Sequence, residues 1–309
     1  MEKDMLVFAR ERFATQGVTE EPERLSGGWT NCVFAAGGLV LRCTRNVESG
    51  RLRRETGLAR LLPVEVGYPE MVDSGSTDGY DWMLCRKIPG TNLEDAWGAL
   101  SWEERADALE QLWTHAKLVH TLDTKESSAF VNDSLWYITT MENARKEADA
   151  LLERTLINAE QCETVKGYIY RFEEAVKQAK YVLAHGDLTP ANTMWFKGKI
   201  VALMDFECAV LAPKEADLMM LLNTAYERED LLAAKPASAA EQRFNARMRE
   251  LIECENVDWD ILQGYRVIKL MHHVAMDMDD EDFTPEHEEL VDLLALLKDG
   301  KGMFAAVMP

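Results

Sequence analysis

The stretch His185-Gly186-Asp187-Leu188-Thr189-Pro190-Ala191-Asn192, with Asp205-Phe206-Glu207 beginning thirteen residues after its Asn, decides how this chain is read. Each half follows a short apolar run. Tyr181-Val182-Leu183-Ala184 leads into the first, and Ile200-Val201-Ala202-Leu203-Met204 into the second. Thr193-Met194-Trp195-Phe196 pairs with the latter run across Lys197-Gly198-Lys199, so a hairpin is predicted between the two polar groups. An Asp just past a strand end is held rigidly yet reaches the surface. An Asn five residues on folds back to the same point, and an Asp closing the next strand arrives beside it. One carboxylate is then free to accept a proton. The amide oxygen and the second carboxylate suit Mg²⁺, a hard cation that takes oxygen ligands and leaves room for phosphates. Phosphoryl transfer needs such groups, because its catalysis is mostly positioning and charge neutralisation.

Upstream of this stretch, the first 88 residues alternate between helix and strand. Residues 3–15 place Met5, Phe8, Ala9 and Phe13 on one side of a helix. Cys32-Val33-Phe34-Ala35-Ala36 and Leu39-Val40-Leu41-Arg42-Cys43 flank Gly37-Gly38, a hairpin signal. Residues 48–62 are predicted helical, and strands are predicted near 70–74 and 80–86 across Thr77-Asp78-Gly79. Ile88-Pro89-Gly90 breaks the pattern and marks a boundary. Beyond it the chain is mostly helical. Ser101 and Glu104 form a capping box ahead of an apolar face. Helices are predicted over 141–154, 158–179, 214–226, 239–253, 259–276 and 285–298. The stretch 277–289 holds eight acids and no Lys or Arg, and reads as a solvated loop and helix start.

Composition narrows the function class. The 309 residues are 47% hydrophobic and 28% charged, ordinary for a globular protein of two domains or two lobes. No apolar run approaches the ~20 residues that span a bilayer. Met1-Glu2-Lys3-Asp4 lacks the basic and then apolar character of a signal peptide, so a cytoplasmic protein is expected. None of the six cysteines forms a C-x-x-C pair, so no zinc ribbon or dithiol site is expected. Net charge is −20, and it is unevenly spread. Residues 1–90 carry 12 basic and 13 acidic side chains, and residues 91–309 carry the other 22 and 41. Such a chain is not built to bind nucleic acid. An acidic second half leans towards a cationic small molecule.

The motifs identify a family resemblance. Asp187-Leu188-x-x-x-Asn192 and Asp205-Phe206 have the spacing of the protein-kinase signature, with Glu207 where Gly is usual. With His185-Gly186 ahead of the Asp, the chain resembles the aminoglycoside phosphotransferase (choline-kinase-like) branch of the kinase fold over nearly its whole length. The resemblance implies an α+β, two-lobed protein-kinase-like fold. Its N-lobe, residues 1–88, would hold an antiparallel sheet and one key helix, and its C-lobe, residues 89–309, would be mainly helical. It implies ATP or GTP and Mg²⁺ as cofactors, with Asp187 as catalytic base or orienter and Asn192 and Asp205 as metal ligands. Ser26, Gly27, Gly28, Thr30 and Asn31 would form the nucleotide loop. Arg42 stands where the kinase Lys would be, with Glu55 as its ion-pair partner. Arg keeps the charge but offers a planar fork. Backbone groups at Cys85 to Lys87 would meet the purine. Asp217 would brace the catalytic loop, His185 would orient it, and His120 would be a packed structural His. His272-His273 with Asp277 imitates a metal site, but adjacent histidines point to different sides of a helix.

A small-molecule kinase is therefore expected, working as a monomer or homodimer on a hydroxyl of a polar or cationic acceptor such as an aminoglycoside or amino alcohol. The rival expectation is a pseudokinase that binds nucleotide without transferring phosphate, favoured by Arg42 and the sparse nucleotide loop. A protein acceptor ranks last, because residues 210–230 contain no evident activation segment.

Overall fold

Three two-residue turns organise the strands. Gly37-Gly38, Asp78-Gly79 and Lys197-Gly198 all hold both residues at positive φ, between 51° and 78°. A type I′ hairpin turn requires this, and its twist matches that of the strands it joins. The computed structural model describes residues 2–25, 31–225, 238–280 and 282–299.

The first of these turns closes the front of a five-stranded antiparallel sheet. Helix α1 (Glu2–Ala14) precedes β1 (Glu23–Leu25), β2 (Cys32–Ala36) and β3 (Leu39–Thr44). Helix α2 (Arg51–Leu58) follows, then β4 (Met71–Thr77) and β5 (Tyr80–Arg86), in the order β1-β2-β3-β5-β4. Period-two alternation gives the sheet two apolar faces. Phe34, Leu41, Cys43, Tyr80, Trp82 and Leu84 meet Phe8, Ala9 and Phe13 of α1. Met83 and Cys85 face the other way and pack on Leu52 of α2. Full burial of a side chain such as Leu41 contributes about 2 kcal/mol. Helix α2 is shorter than the predicted 48–62. It starts after Gly50 at φ 61°, and a 3₁₀ turn occupies Val47–Ser49.

The second part opens with β6 (Thr91–Asn92) and α3 (Leu93–Trp97), then α4 (Trp102–His120), α5 (Thr124–Ser127), α6 (Met141–Glu153) and α7 (Ala159–Val176). Strands β7 (Tyr181–Ala184), β8 (Thr193–Phe196), β9 (Lys199–Leu203) and β10 (Val210–Pro213) carry the polar motifs between them. Helices α8 (Glu215–Ala225), α9 (Ala239–Glu255), α10 (Trp259–Asp277) and α11 (Glu288–Asp299) complete the described chain. Capping boxes at Ser101/Glu104 and Ser238/Glu241 start α4 and α9, each cap contributing about 1 kcal/mol. Helix α10 is the axis of this part and packs on α6, α7, α8 and α11. A Cβ at Gly264 would lie 2.4 Å from the Phe172 ring, so glycine permits the close approach of α7. This is the expected α+β arrangement of an antiparallel-sheet lobe followed by a mainly helical one. Strands β1, β6 and β10 and helix α3 were not expected. Each is only two to five residues long, too short for a periodic signal. Among the described residues no helix is long and apolar enough to cross a membrane.

Candidate active site

The polar motif between β7 and β8 is tied down from behind. Gly186 sits at φ 76°, and a Cβ there would lie 2.2 Å from the carbonyl oxygen of Cys208. The residue after His185 therefore has to be glycine, both for its left-handed backbone and for its clearance. Asp217, buried on α8, accepts the N–H groups of His185 and Gly186, each at 2.9 Å. His120 Nε2 donates to the same carboxylate at 2.9 Å. Burial opposes ionisation of Asp217. The hydrogen bond and charge of His120, with help from His185 and Gly186, outweigh it and hold the carboxyl below its ordinary range. His185 Nε2 donates to the Met204 carbonyl at 2.8 Å, and its Nδ1 accepts the Asp187 N–H at 3.3 Å. A carbonyl only accepts, so the ring carries its proton on Nε2 and serves as an orienter.

Asp187 is half-buried at the mouth of this loop. Asn192 Nδ2 donates to both its carbonyl oxygen and its carboxylate Oδ2, each at 2.9 Å. Burial pushes the Asp187 carboxyl up. The His185 and Asn192 interactions pull it back in part, and the acids Asp205 and Glu207 push it up further. The Asn192 carbonyl takes the Met204 N–H at 2.8 Å, which draws the end of β9 beside the loop.

Asp205 then turns the chain through a left-handed backbone, φ 61° and ψ 61°, a conformation Asp tolerates better than most residues. Its Oδ1 accepts from Arg42 Nη2 at 2.8 Å, while Arg42 Nη1 donates to Glu55 Oε1 at 2.7 Å. Glu55 is fully buried on α2, and the same oxygen accepts from the Tyr68 hydroxyl at 2.9 Å and the Phe206 N–H at 3.1 Å. Burial raises the Glu55 carboxyl, and Arg42 only partly offsets this. Glu207, buried next door, accepts from Asn31 Nδ2 at 3.0 Å. Asn132 ties the segment to the core. Its Nδ2 donates to the carbonyls of Glu207 and Ala209, and its Oδ1 accepts from Arg54 at 2.6 Å. One network thus joins β3, α2 and the motif after β9.

The sequence-predicted residues fall into three groups. Asp187, Asn192, Asp205, Arg42 and Glu55 converge with the contacts just given, and Asn31 reaches them through Glu207. Ser26, Gly27, Gly28 and Thr30 lie outside the described residues. Cys85 and Lys87 stand at the end of β5, but their backbone is engaged. Cys85 is paired between Val40 and Met71, and the Lys87 N–H donates to Gly38 O at 2.9 Å. Ile88 is the next residue, and its N–H has no partner among the described residues. Tyr68, Asn132 and the buried role of Glu207 were not anticipated. Only Glu207 had a signal, as the residue in place of the usual Gly. His272 pairs with Glu147 at 2.9 Å and His273 packs on Trp136, so these two rings do diverge.

The site's oxygen chemistry suits a hard divalent cation. Asn192 spends its Nδ2 on Asp187 and Asp205 spends Oδ1 on Arg42, which leaves Asn192 Oδ1 and Asp205 Oδ2 without a donor among the described residues. An amide oxygen and a carboxylate oxygen fit Mg²⁺.

The model of the phosphotransferase enzyme family matches residues 21–251. The chain belongs to that family. Among curated protein sequences none matches significantly. Solved structures share the fold at low identity. Aminoglycoside 2'-phosphotransferase-IIIa in complex with GDP is 17% identical, with a TM-score of 0.65 over 95% of this chain and 97% of that one. The GDP and kanamycin complex of APH(2")-IIia is 16% identical, with a TM-score of 0.66 over 97% and 98%. A thermostable APH(4)-Ia aminoglycoside phosphotransferase in ternary complex with ADP and hygromycin B is 15% identical, with a TM-score of 0.64 over 96% and 99%. The family member's lobed fold is therefore that of the aminoglycoside kinases.

Proposed function

We propose that this phosphotransferase moves the γ-phosphate of ATP or GTP to a hydroxyl of a small molecule, with Asp187 as the residue that receives the hydroxyl proton. The observation that carries this is the seat of Asp187. Its Oδ2 is held by Asn192, its backbone by His185, and its position lies beside the Asp205 motif. A burial-raised carboxylate is a better proton acceptor than a solvated one. In the reaction the acceptor oxygen attacks phosphorus, the bond from phosphorus to the β-phosphate oxygen breaks, and the hydroxyl proton passes to Asp187. The products are a phosphate monoester and a nucleoside diphosphate.

Arg42 would clamp phosphate oxygens from β3, with Glu55 fixing its fork. Asn192 Oδ1 and Asp205 Oδ2 would hold Mg²⁺, which when bound neutralises the phosphate charge. Residues 26–31 would cover the phosphates, and the segment ending β5 would meet the base through the backbone at Ile88, since Cys85 and the Lys87 N–H are engaged. The lobe boundary is placed at 88/89, and a cytoplasmic location, where nucleotide is supplied, suits the reading. For the acceptor, two influences oppose each other. The net charge of −20 favours a cationic molecule at long range, while the Lys269 ammonium on α10 lies within electrostatic reach of Asp187.

The test is Asp187→Asn. Turnover should fall about a thousandfold, as expected on losing a general base, while nucleotide binding by calorimetry persists. Undiminished turnover sinks the proposal. One observation favours the rival, nucleotide binding without transfer: Arg42 already occupies Asp205 Oδ1. Tight nucleotide binding with no turnover on any acceptor panel would establish it.

A further inference from the structure

Helix α10 presents an unusual surface towards the catalytic loop. It is buried almost all round, yet Arg266, Lys269 and His273 follow one another at spacings of three and four, so they lie on one face. Arg266 is 4% exposed. Its Nη1 donates to Asn223 Oδ1 on α8 at 2.8 Å, and its Nη2 lies 3.4 Å from Asp292 on α11. His273 packs against the half-exposed ring of Trp136, with centroids 6.0 Å apart. Trp136 belongs to the segment that flanks the catalytic loop. Leu135 lies 3.6 Å from the Cβ position of Gly186, and the Tyr137 hydroxyl donates to Ala216 O beside Asp217.

Lys269 stands at the centre of this face and makes no hydrogen bond or ion pair among the described residues. The acids near it are already engaged. Asp292 holds Arg266, and Glu289 takes His287 at 3.0 Å and His273 at 3.9 Å. The charges that act on the Lys269 ammonium are those of Arg266 and Glu289, then Asp187 and Asp292. Asp187, on the catalytic loop, is therefore within its electrostatic reach. Burial lowers the Lys269 pKa to about 8, Arg266 adds to the effect, and the more distant acids Glu289, Asp187 and Asp292 offset it only in part. Lys269 shares its helix face with His273, which packs on the Trp136 segment flanking Gly186, and has no acidic partner among the described residues, so its ammonium is placed to receive a ligand group.

We infer that the acceptor carries an anionic group, a carboxylate or a phosphate ester, which the Lys269 ammonium receives while the acceptor's hydroxyl lies at Asp187. Arg266 stands behind Lys269 and adds positive potential. Trp136 offers an apolar wall. The inference rests on the proposed phosphotransfer for the position of the hydroxyl, but the anion site is testable by itself.

The test is calorimetric titration of the full chain, saturated with a non-hydrolysable ATP analogue and Mg²⁺. The probes are gluconate and glycerol 3-phosphate, their neutral counterparts glucose and glycerol, and kanamycin as a cation. At pH 7 at least one anionic probe is expected to bind more than tenfold tighter than its neutral counterpart, and gluconate against glycerol 3-phosphate tells carboxylate from phosphate. Lys269→Met should weaken that probe about ten- to a hundredfold, the worth of a charged hydrogen bond. Lys146→Met, in a solvent-exposed pair with Glu142, should leave it unchanged. Wild-type affinity should fall as pH rises through about 8, and the Lys269→Met variant should lack that fall. Equal binding of anionic and neutral probes, tighter binding of kanamycin, or no binding of either anion overturns the inference. Nucleotide consumption is measured in parallel. Anion binding through Lys269 without turnover leaves the inference standing and removes the phosphotransfer reading. Turnover confined to kanamycin does the reverse.

Discussion

The two sides of Asp187 are built on opposite principles. Towards β3 and α2, the charges are interlocked: Arg42 bridges Glu55 and Asp205, and Glu55 gathers three donors on one oxygen. Towards α10, Lys269 stands without an ionic partner among the described residues. A buried charge is tolerated when partners replace its lost water. The first side therefore holds its geometry with no ligand present. The second keeps a destabilising group, which makes sense where a ligand supplies the missing partner. On the proposed reading, the contrast would separate a scaffold for the phosphotransfer chemistry from a surface that selects the acceptor.

The largest way to break that contrast is at Gly186. Replacing it with Ala forces a Cβ to 2.2 Å from the Cys208 carbonyl at a φ of 76°. Destabilisation of about 3–4 kcal/mol is expected from backbone strain and overpacking, together with loss of turnover. Thermal melting and a nucleotide-consumption assay measure both. A Gly186→Ala protein with wild-type stability would mean that the loop is less rigidly anchored than the Asp217 hydrogen bonds indicate.

The next effect is at Glu55. Glu55→Gln leaves Arg42 short of a charge in a buried setting, at a cost of about 3 kcal/mol. Arg42→Met alone should cost a similar amount, because it strands Glu55. The double variant should cost much less than the sum, since both charges then leave together. Additive losses in denaturant melts would show that the interlock is only geometric.

These two sites were legible in the chain to different degrees. Gly186 could be marked because His-Gly-Asp and the Asn five residues later form a local pattern, although only the structure gives its reason in the Cys208 carbonyl. The three hairpins were readable because each turn carries a Gly at positive φ between two predicted strands. Glu55 and Arg42 lie thirteen residues apart, and the family resemblance paired them, with no local pattern to do so. Tyr68 and Asn132 were invisible, because their bonds reach across the fold to backbone and side chains that no spacing encodes. Lys269 was missed for a further reason. Counting acids over residues 91–309 pointed to a cationic acceptor, and a sum of charges says nothing about which of them are already paired. Of the nucleotide loop expected at residues 26–31, residues 26–30 lie outside the described residues.

The smallest expected effect tests the other half of the contrast, and its sign is opposite. Lys269 has a pKa lowered in the folded chain to about 8 from an ordinary 10.5. Below pH 8 the ammonium is charged in both states, and the folded chain carries the full penalty of its poor solvation. Between pH 8 and 10.5 the unfolded chain holds more protons than the folded one, so stability rises with pH through that window. Above it both states are neutral and the penalty is gone. Lys269→Met removes the charge while keeping the length and apolar stem. It should therefore stabilise the protein at pH 7 by about 1 kcal/mol, the remaining exposure of the ammonium limiting the gain, and flatten the rise between pH 8 and 10.5. Chemical melts of both proteins at pH 7, 9 and 10.5 read this directly. A variant less stable than wild type at pH 7 would mean that Lys269 belongs to the interlocked half of the molecule after all. A more stable variant that has lost anion binding would mark Lys269 as a group kept for its ligand at the expense of the fold.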